Sequence, residues 1–103
     1  MAGSAMPYRI EFAASVKEQL KELSNHERAL VFDEMDKQLI HEPLKETRNR
    51  KPLRPNPLAP WELRIGDLRV FYDVSSGPLI VQVLAVGRKR GNRLFIAGKE
   101  VKI

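Results

Sequence analysis

The chain has no cysteine among its 103 residues, only two histidines, and few aromatics: one tryptophan, two tyrosines and four phenylalanines. Without cysteine there is no disulfide framework and no thiolate nucleophile. A cytoplasmic location fits that composition. No apolar run approaches the length of a membrane span, and no charged-then-apolar leader opens the chain, so no membrane partner is expected. The histidines fall at the two ends of a helical segment, His26 at its start and His41 at its end, and both read as structural. Asp33 and Asp36 are the wet side of that helix, and no metal-ligand spacing exists. The sequence therefore calls for no metal and no other cofactor.

What is present is an ordinary globular composition, 43% hydrophobic and 30% charged, in a length suited to one domain. Met1 to Ala5 (Met-Ala-Gly-Ser-Ala) reads as an expression-vector remnant, leaving 6–103 as the domain. The net charge of +5 is unevenly placed. Residues 6–45 carry six Lys/Arg against eight Asp/Glu, whereas residues 46–103 carry twelve against five. The second half is basic, which points either to a polyanionic partner or to a solvated cationic surface.

Hydrophobic periodicity predicts the elements. Pro7 to Phe12 alternates as a strand. From Ala13 the spacing of Val16, Leu20 and Leu23 is helical. Ser24 with Glu27 forms a capping box that starts a second helix, whose buried stripe is expected to be Val31, Phe32, Met35, Leu39 and Ile40 and whose end is set by Pro43. Residues 42–60, with five prolines and Lys45, Arg48, Arg50, Lys51 and Arg54, read as an ordered basic surface loop. Ser75–Pro78 is a turn. Leu79 to Val86 is apolar at nearly every position, as for a strand buried in mid-sheet. It leads into a basic turn, Gly87-Arg88-Lys89-Arg90-Gly91-Asn92-Arg93, and then a short terminal strand or irregular tail over 94–103. The fold class is α+β: a curved antiparallel sheet on an N-terminal helical hairpin.

The most informative stretch is Trp61-Glu62-Leu63-Arg64-Ile65-Gly66-Asp67-Leu68-Arg69-Val70-Phe71-Tyr72. A two-residue Gly66-Asp67 turn of type II′ sets Ile65 opposite Leu68 and Arg64 opposite Arg69. Trp61, Leu63, Ile65, Leu68, Val70 and Tyr72 then share a core face, with Glu62, Arg64, Arg69 and Phe71 on the other. Like charges directly across strands destabilise a sheet, so the arginine pair points to an anion bound between them. If Ser75–Pro78 joins adjacent strands, Arg69 lies opposite Leu84 and the same face reaches Arg88. Guanidinium groups around a phosphodiester can stabilise a pentacoordinate transition state, and RNA brings its own 2′-OH nucleophile. Glu62 is either a general base or, more simply, a salt-bridge partner for the arginines.

The element order, together with Leu-Arg-x-Gly-Asp-x-Arg-Val-x-Tyr, the preceding Lys51-Pro52-Leu53 and the later Val-Leu-Ala-Val-Gly-Arg-Lys, resembles toxins of the RelE/ParE superfamily from type II toxin–antitoxin pairs. In the RelE branch the resemblance implies a ribosome-dependent mRNA endoribonuclease, or mRNA interferase, that inhibits translation by metal-independent 2′-OH attack. In the ParE branch it implies gyrase inhibition without RNA cleavage; a degenerate nucleic-acid-binding module is a third reading. The implied partners are a cognate antitoxin, mRNA and the ribosome, with operator DNA reached only through the antitoxin. By position, Arg69 matches the most dependable catalytic arginine and Arg64 a basic position on the preceding strand. Alignment assigns the next basic residue to Lys89 and strand parity to Arg88. A bulge would reconcile the two, so Arg64, Arg69, Arg88 and Lys89 are the catalytic candidates. Arg48, Arg50, Lys51, Arg54, Arg90, Arg93 and Phe95 are the nucleic-acid-binding candidates. Two positions depart from the pattern: Glu62 stands where a second lysine occurs, and Phe95 where a catalytic tyrosine would be. Lys51 also occupies the place of the carboxylate that some relatives pair with histidine.

Overall fold

The computed structural model describes residues 6–103; the expected vector remnant Met1–Ala5 lies outside the described residues. The elements are β1 (Arg9–Phe12), α1 (Val16–Lys21), α2 (Asn25–Leu39), β2 (Arg50–Pro52), β3 (Trp61–Ile65), β4 (Leu68–Ser76), β5 (Leu79–Arg90), β6 (Arg93–Ile96) and β7 (Lys99–Val101). The two helices pack on one face of a seven-stranded sheet in the order β2-β3-β4-β5-β6-β7, with β1 also on β5. Every pairing is antiparallel except β1 with β5, which is parallel. β5 is therefore the central strand. One of its edges pairs with β4, and the other is shared between β1 at Ile80–Val83 and β6 at Arg88–Arg90.

The helices form where the sequence directs them, with local differences. Helix α1 starts at Val16 rather than Ala13 and is only six residues long. Helix α2 opens on the expected capping box: the Glu27 N–H donates to Ser24 Oγ at 3.1 Å, and the Ser24 N–H to Glu27 Oε1 at 3.0 Å. Its buried seam is Val31, Met35 and Leu39, at i, i+4 and i+8. Phe32 is a correction: it is 42% exposed, a quarter-turn or so off that seam, and meets the Phe12 ring edge-on at 5.9 Å.

The principal core joins that seam and Val16 to Leu63, Ile65, Leu68, Val70, Tyr72, Val81, Val83 and Val86 on the helix side of the sheet. Tyr72 is fully buried and its hydroxyl donates to the Pro43 carbonyl at 2.7 Å. This meets the rule that a buried phenol must find a partner, and burial pushes its pKa up. A second, smaller cluster occupies the far face: Phe71, Ala85, Leu94 and Ile96, covered by Leu53, Leu58 and Ala59. The covering loop is held by Asn56, whose amide donates to the Arg54 and Ala59 carbonyls and whose oxygen accepts from the Leu58 and Ala59 N–H groups.

Three further expectations need correction. Residues 42–60 are not all loop, because Arg50–Pro52 adds an edge strand to β3; proline is tolerated there since an edge leaves its missing donor unneeded. The segment read as a basic turn is strand as far as Arg90, and the turn itself is only Gly91-Asn92. The tail is a hairpin, β6–β7, closed by Ala97-Gly98 with both residues at positive φ, as a type I′ turn requires. Gly87 in β5 lies against this hairpin. A Cβ there would sit 2.6 Å from the Phe95 carbonyl oxygen and 2.8 Å from Ile96 Cγ1.

The helix layer is tied to the sheet through charge. Arg88 Nη2 donates to both carboxylate oxygens of Glu27 at 2.8 Å, and Nη1 reaches Asp67 Oδ2 at 3.1 Å. The Ser24 backbone N–H and Arg88 together hold the Glu27 carboxyl below its ordinary value of 4.5. The bond to Glu27 chiefly holds Arg88 in its charged form.

Two outcomes follow from this packing. Gly87→Ala must push β6 away from β5 and should lower stability by about 2 kcal/mol in urea denaturation. Glu27→Gln keeps a capping oxygen but loses the charge. Because the native carboxyl is depressed, its contribution is complete above pH 4.5 and is lost as pH falls through the lower native value. The mutant should therefore be less stable than wild type at pH 7, with the gap narrowing as pH falls below 4.5. Parallel denaturation curves with a gap that stays constant across that fall would contradict this.

Candidate functional site

The β3–β4 hairpin has the register expected of it. Ile65 pairs with Leu68, Arg64 with Arg69, and Glu62 with Phe71; Gly66 takes φ +59° at the first turn position. The arginines thus stand directly opposite one another on the face away from the helices. Glu62, 4% exposed, shares their face at the next same-facing pair of the ladder, and its Oε2 accepts from Arg64 Nε at 2.7 Å. The salt-bridge reading of Glu62 matches this contact. Lys51 is in register with Glu62 on β2 and lies 3.6 Å from Glu46.

Arg69 is partly buried and folded back on its own turn. Its Nη1 donates to the Gly66 and Leu68 carbonyls at 2.8 and 2.9 Å, while Nε is buried with no partner. Burial is the main influence lowering its pKa, with Arg64 adding to it and Glu62 opposing it. Among the described residues two of its three nitrogens are thus not fully used: Nε is orphaned, and Nη2 makes no hydrogen bond. An incoming anion would find donors without a competing carboxylate salt bridge on this group.

The expected neighbour of Arg69 on β5 was Leu84; the observed one is Gly87. The connecting loop is the two residues Gly77-Pro78 rather than Ser75–Pro78, and the ladder shifts between Phe71 and Tyr72, which pair with Ala85 and Val83. Leu84 is the extra residue of a bulge. The shift exchanges the two faces of β5 beyond it. Arg88, opposite Leu68, points to the helix side and is held by Glu27 and Asp67. Lys89 points to the arginine face, about 6.6 Å along the strand from Gly87. Parity without the bulge placed Arg88 there, and that placement is corrected. Lys89 fills the place that alignment gave it.

The remaining candidates are dispersed. Arg50 is 8% exposed and donates to the Gln38 and Lys45 carbonyls, so it closes the C-terminal end of α2 from beneath the sheet edge. Arg48 and Arg54 are exposed in the segments flanking β2. Arg90 and Arg93 are exposed on either side of the Gly91-Asn92 turn. Phe95 pairs with Arg88 and faces the helices; with Arg88, Arg90, Gln19 and Glu22 it lines a cleft of about 370 Å³ between the α1–α2 corner and the terminal hairpin. The structure thus gathers Arg64, Arg69 and Lys89, with Lys51 beside Glu62, and separates Arg50, Arg88 and Phe95 from them. Sequence reasoning missed Asp67, whose carboxylate takes Arg88 and whose carbonyl accepts from the Lys89 N–H at 2.8 Å. Its place in a turn concealed a long-range role, since turn aspartates are common for local reasons.

Comparisons with known proteins agree with this architecture. Residues 10–93 match the family model described as the ParE toxin of the type II toxin–antitoxin system, parDE. No curated protein sequence matches the chain. Among solved structures, the fold is similar to a chain of the toxin–antitoxin complex RelBE2 from Mycobacterium tuberculosis. The TM-score is 0.71 and the identity 27%, over 84% of this chain and 95% of that one. With the match to the family model spanning β1 to β6, the chain belongs to the ParE toxin family of type II toxin–antitoxin systems, within the RelE/ParE superfamily.

Proposed function

We propose that this toxin acts on RNA, cleaving mRNA on the ribosome at the Arg64/Arg69 face. The observation that carries the reading is the register of β3 and β4. It sets two arginines opposite each other with Lys89 on the same side, offset by the Glu62 carboxylate that holds Arg64 and, more weakly, by Asp67 in the adjoining turn. A phosphodiester between the guanidinium groups relieves their repulsion and satisfies the unpartnered donor of Arg69. In the reaction the 2′-oxygen bonds to phosphorus and the bond to the 5′-oxygen breaks, leaving a cyclic phosphate and a 5′-hydroxyl. Arg69 and Lys89 would stabilise the charge that builds on the phosphoryl oxygens. Arg64, held by Glu62, would position the strand. His26 and His41 are exposed at the two ends of α2 and bring no imidazole to this face. That scarcity favours a target that positions the 2′-hydroxyl itself, as a ribosome holding a message would.

The partner that restrains the toxin is an antitoxin, by analogy with the complex that the similar structure comes from. The antitoxin would also be the only route to operator DNA, and the cytoplasm the place of action. A gyrase-directed toxin is the second reading. It is favoured by the turning of Phe95 and Arg88 toward the helices, which removes an aromatic ring and a cation from the arginine face.

Ribosome-programmed cleavage of mRNA, comparing wild type with Arg69→Ala, separates the two. The RNA reading expects A-site cuts from wild type and a loss of about 10²–10³-fold in the mutant, in the range found when one transition-state donor is removed. The melting temperature should be unchanged or slightly higher, because the substitution deletes an unsatisfied buried donor. Growth arrest without cuts, together with loss of gyrase supercoiling, would establish the second reading instead.

A further inference from the structure

The arginine face does not stop at Lys89. Leu94 on β6 and Val101 on β7 stand in register with it across the sheet. Beyond β7 the chain continues through Lys102 and Ile103. With Asn92 from the β5–β6 turn, these residues line an open hollow of about 350 Å³. Its floor includes the aliphatic Leu94, while Lys89 comes to it from β5 and Lys102 from the segment that follows β7. Among the described residues neither lysine forms an ion pair. The one acidic side chain in the lining, Glu100, is 3.9 Å from Arg93, and the three cations Lys89, Arg93 and Lys102 outnumber it and the main-chain carboxylate of Ile103. A smaller hollow containing Arg54 shares Ile103 as a wall.

In the helical half, Lys21 and Lys37 are paired with carboxylates, and Arg28 is spent on the Leu20 and Leu23 carbonyls. Strand β7 lies three strand spacings from β4, or about 14 Å. One phosphate cannot touch both Arg69 and Lys102, but two phosphates of a single extended strand can. An aliphatic floor suits the face of a sugar or base, and the Asn92 amide offers both a donor and an acceptor to a base edge.

We infer that this hollow is a second phosphate subsite for single-stranded RNA, with Lys102 as its defining cation and Asn92 beside it. The inference rests on the RNA reading above and extends it to the nucleotides flanking the scissile one. An acidic protein segment would meet the same charge but has less use for the continuous line from Arg69 through Lys89 to Lys102.

The test uses 2′-O-methyl RNA, which lacks the nucleophile and remains intact, as a dinucleotide and as an octanucleotide. Fluorescence anisotropy across a salt series is read for wild type, Lys102→Ala, Lys102→Glu and Arg69→Ala. For the octanucleotide, Lys102→Ala should reduce the slope of log K against log salt by about 0.7 and weaken binding about fourfold near 0.15 M salt. Lys102→Glu should weaken it further. The dinucleotide, confined to the arginine pair, should respond to Arg69→Ala and not to Lys102→Ala. Octanucleotide affinity lost in Arg69→Ala but unchanged in both Lys102 variants would overturn the subsite while leaving the RNA reading in place. Equal sensitivity of both oligonucleotides to Lys102→Ala would merge the hollow with the first site and overturn its separateness. Failure of wild type to bind either RNA would overturn the subsite, whereas the RNA reading falls only if ribosome-programmed cleavage is also absent. Weakened antitoxin affinity in Lys102→Ala, with RNA binding intact, would reassign the hollow to a protein contact.

Discussion

The extra residue in β5 governs the disposition of charge in this molecule. At Leu84 the ladder with β4 slips by one, so that Phe71 meets Ala85 while Tyr72 meets Val83. Because side chains alternate with a period of two, a slip of one exchanges the faces of all that follows. Lys89 comes to the arginine face and Arg88 leaves it. Leu84 joins the far-face cluster, which needs apolar surface to hold Phe71 under the 53–60 segment. Gly87 is left opposite Arg69, close enough to β6 that any side chain would collide with it. A regular ladder would have directed Arg88 at the arginine pair and left Glu27 without its partner.

That partnership explains why two adjacent cations have different tasks. Arg88 links the capping carboxylate of α2 to the Asp67 carboxylate in the β3–β4 turn. The same turn supplies the Gly66 carbonyl on which Arg69 rests and the Asp67 carbonyl that accepts from the Lys89 N–H. The helix cap, the central strand and the turn bearing the arginines are thus joined through one guanidinium with a fixed, forked geometry that lysine does not offer. Lys89, next in sequence, has no carboxylate partner among the described residues and lies on the opposite face.

Much of this was legible in the sequence because local chemistry and global packing agree there. The Ser24–Glu27 box, the Gly66-Asp67 turn and the alternation from Trp61 to Tyr72 each depend on neighbours a few residues apart, and each is found as read. What was not legible depended on distant partners. Phe32 fits a helical stripe, but the width of that stripe is set by what the sheet offers opposite it, and Val31, Met35 and Leu39 fill it. Arg50 has the composition of a surface loop cation; only the pairing of β2 with β3 brings it under the end of α2. Phe95 was placed by alignment, yet its face is fixed by its pairing with Arg88 beyond the bulge. A bulge has no sequence signal of its own here, since Leu84 is one apolar residue among many.

The condition of Arg69 connects fold to action. A guanidinium bound to its own turn, with a buried Nε unpartnered, is a group whose hydrogen-bonding capacity the chain does not exhaust. Leaving a donor of this kind unsatisfied is costly, and on the proposed reading a bound phosphate would offset that cost. Arg64 differs, since an ion pair with Glu62 holds it, whereas Arg69 is held by carbonyls of its own turn. On the proposed RNA reading the ion-paired cation would give register to a bound strand, and the other would exchange carbonyls for a reacting phosphate. The asymmetry between two residues that the sequence presents as equivalent is therefore the property a charge-stabilising site requires, and it originates in the position of a single buried glutamate.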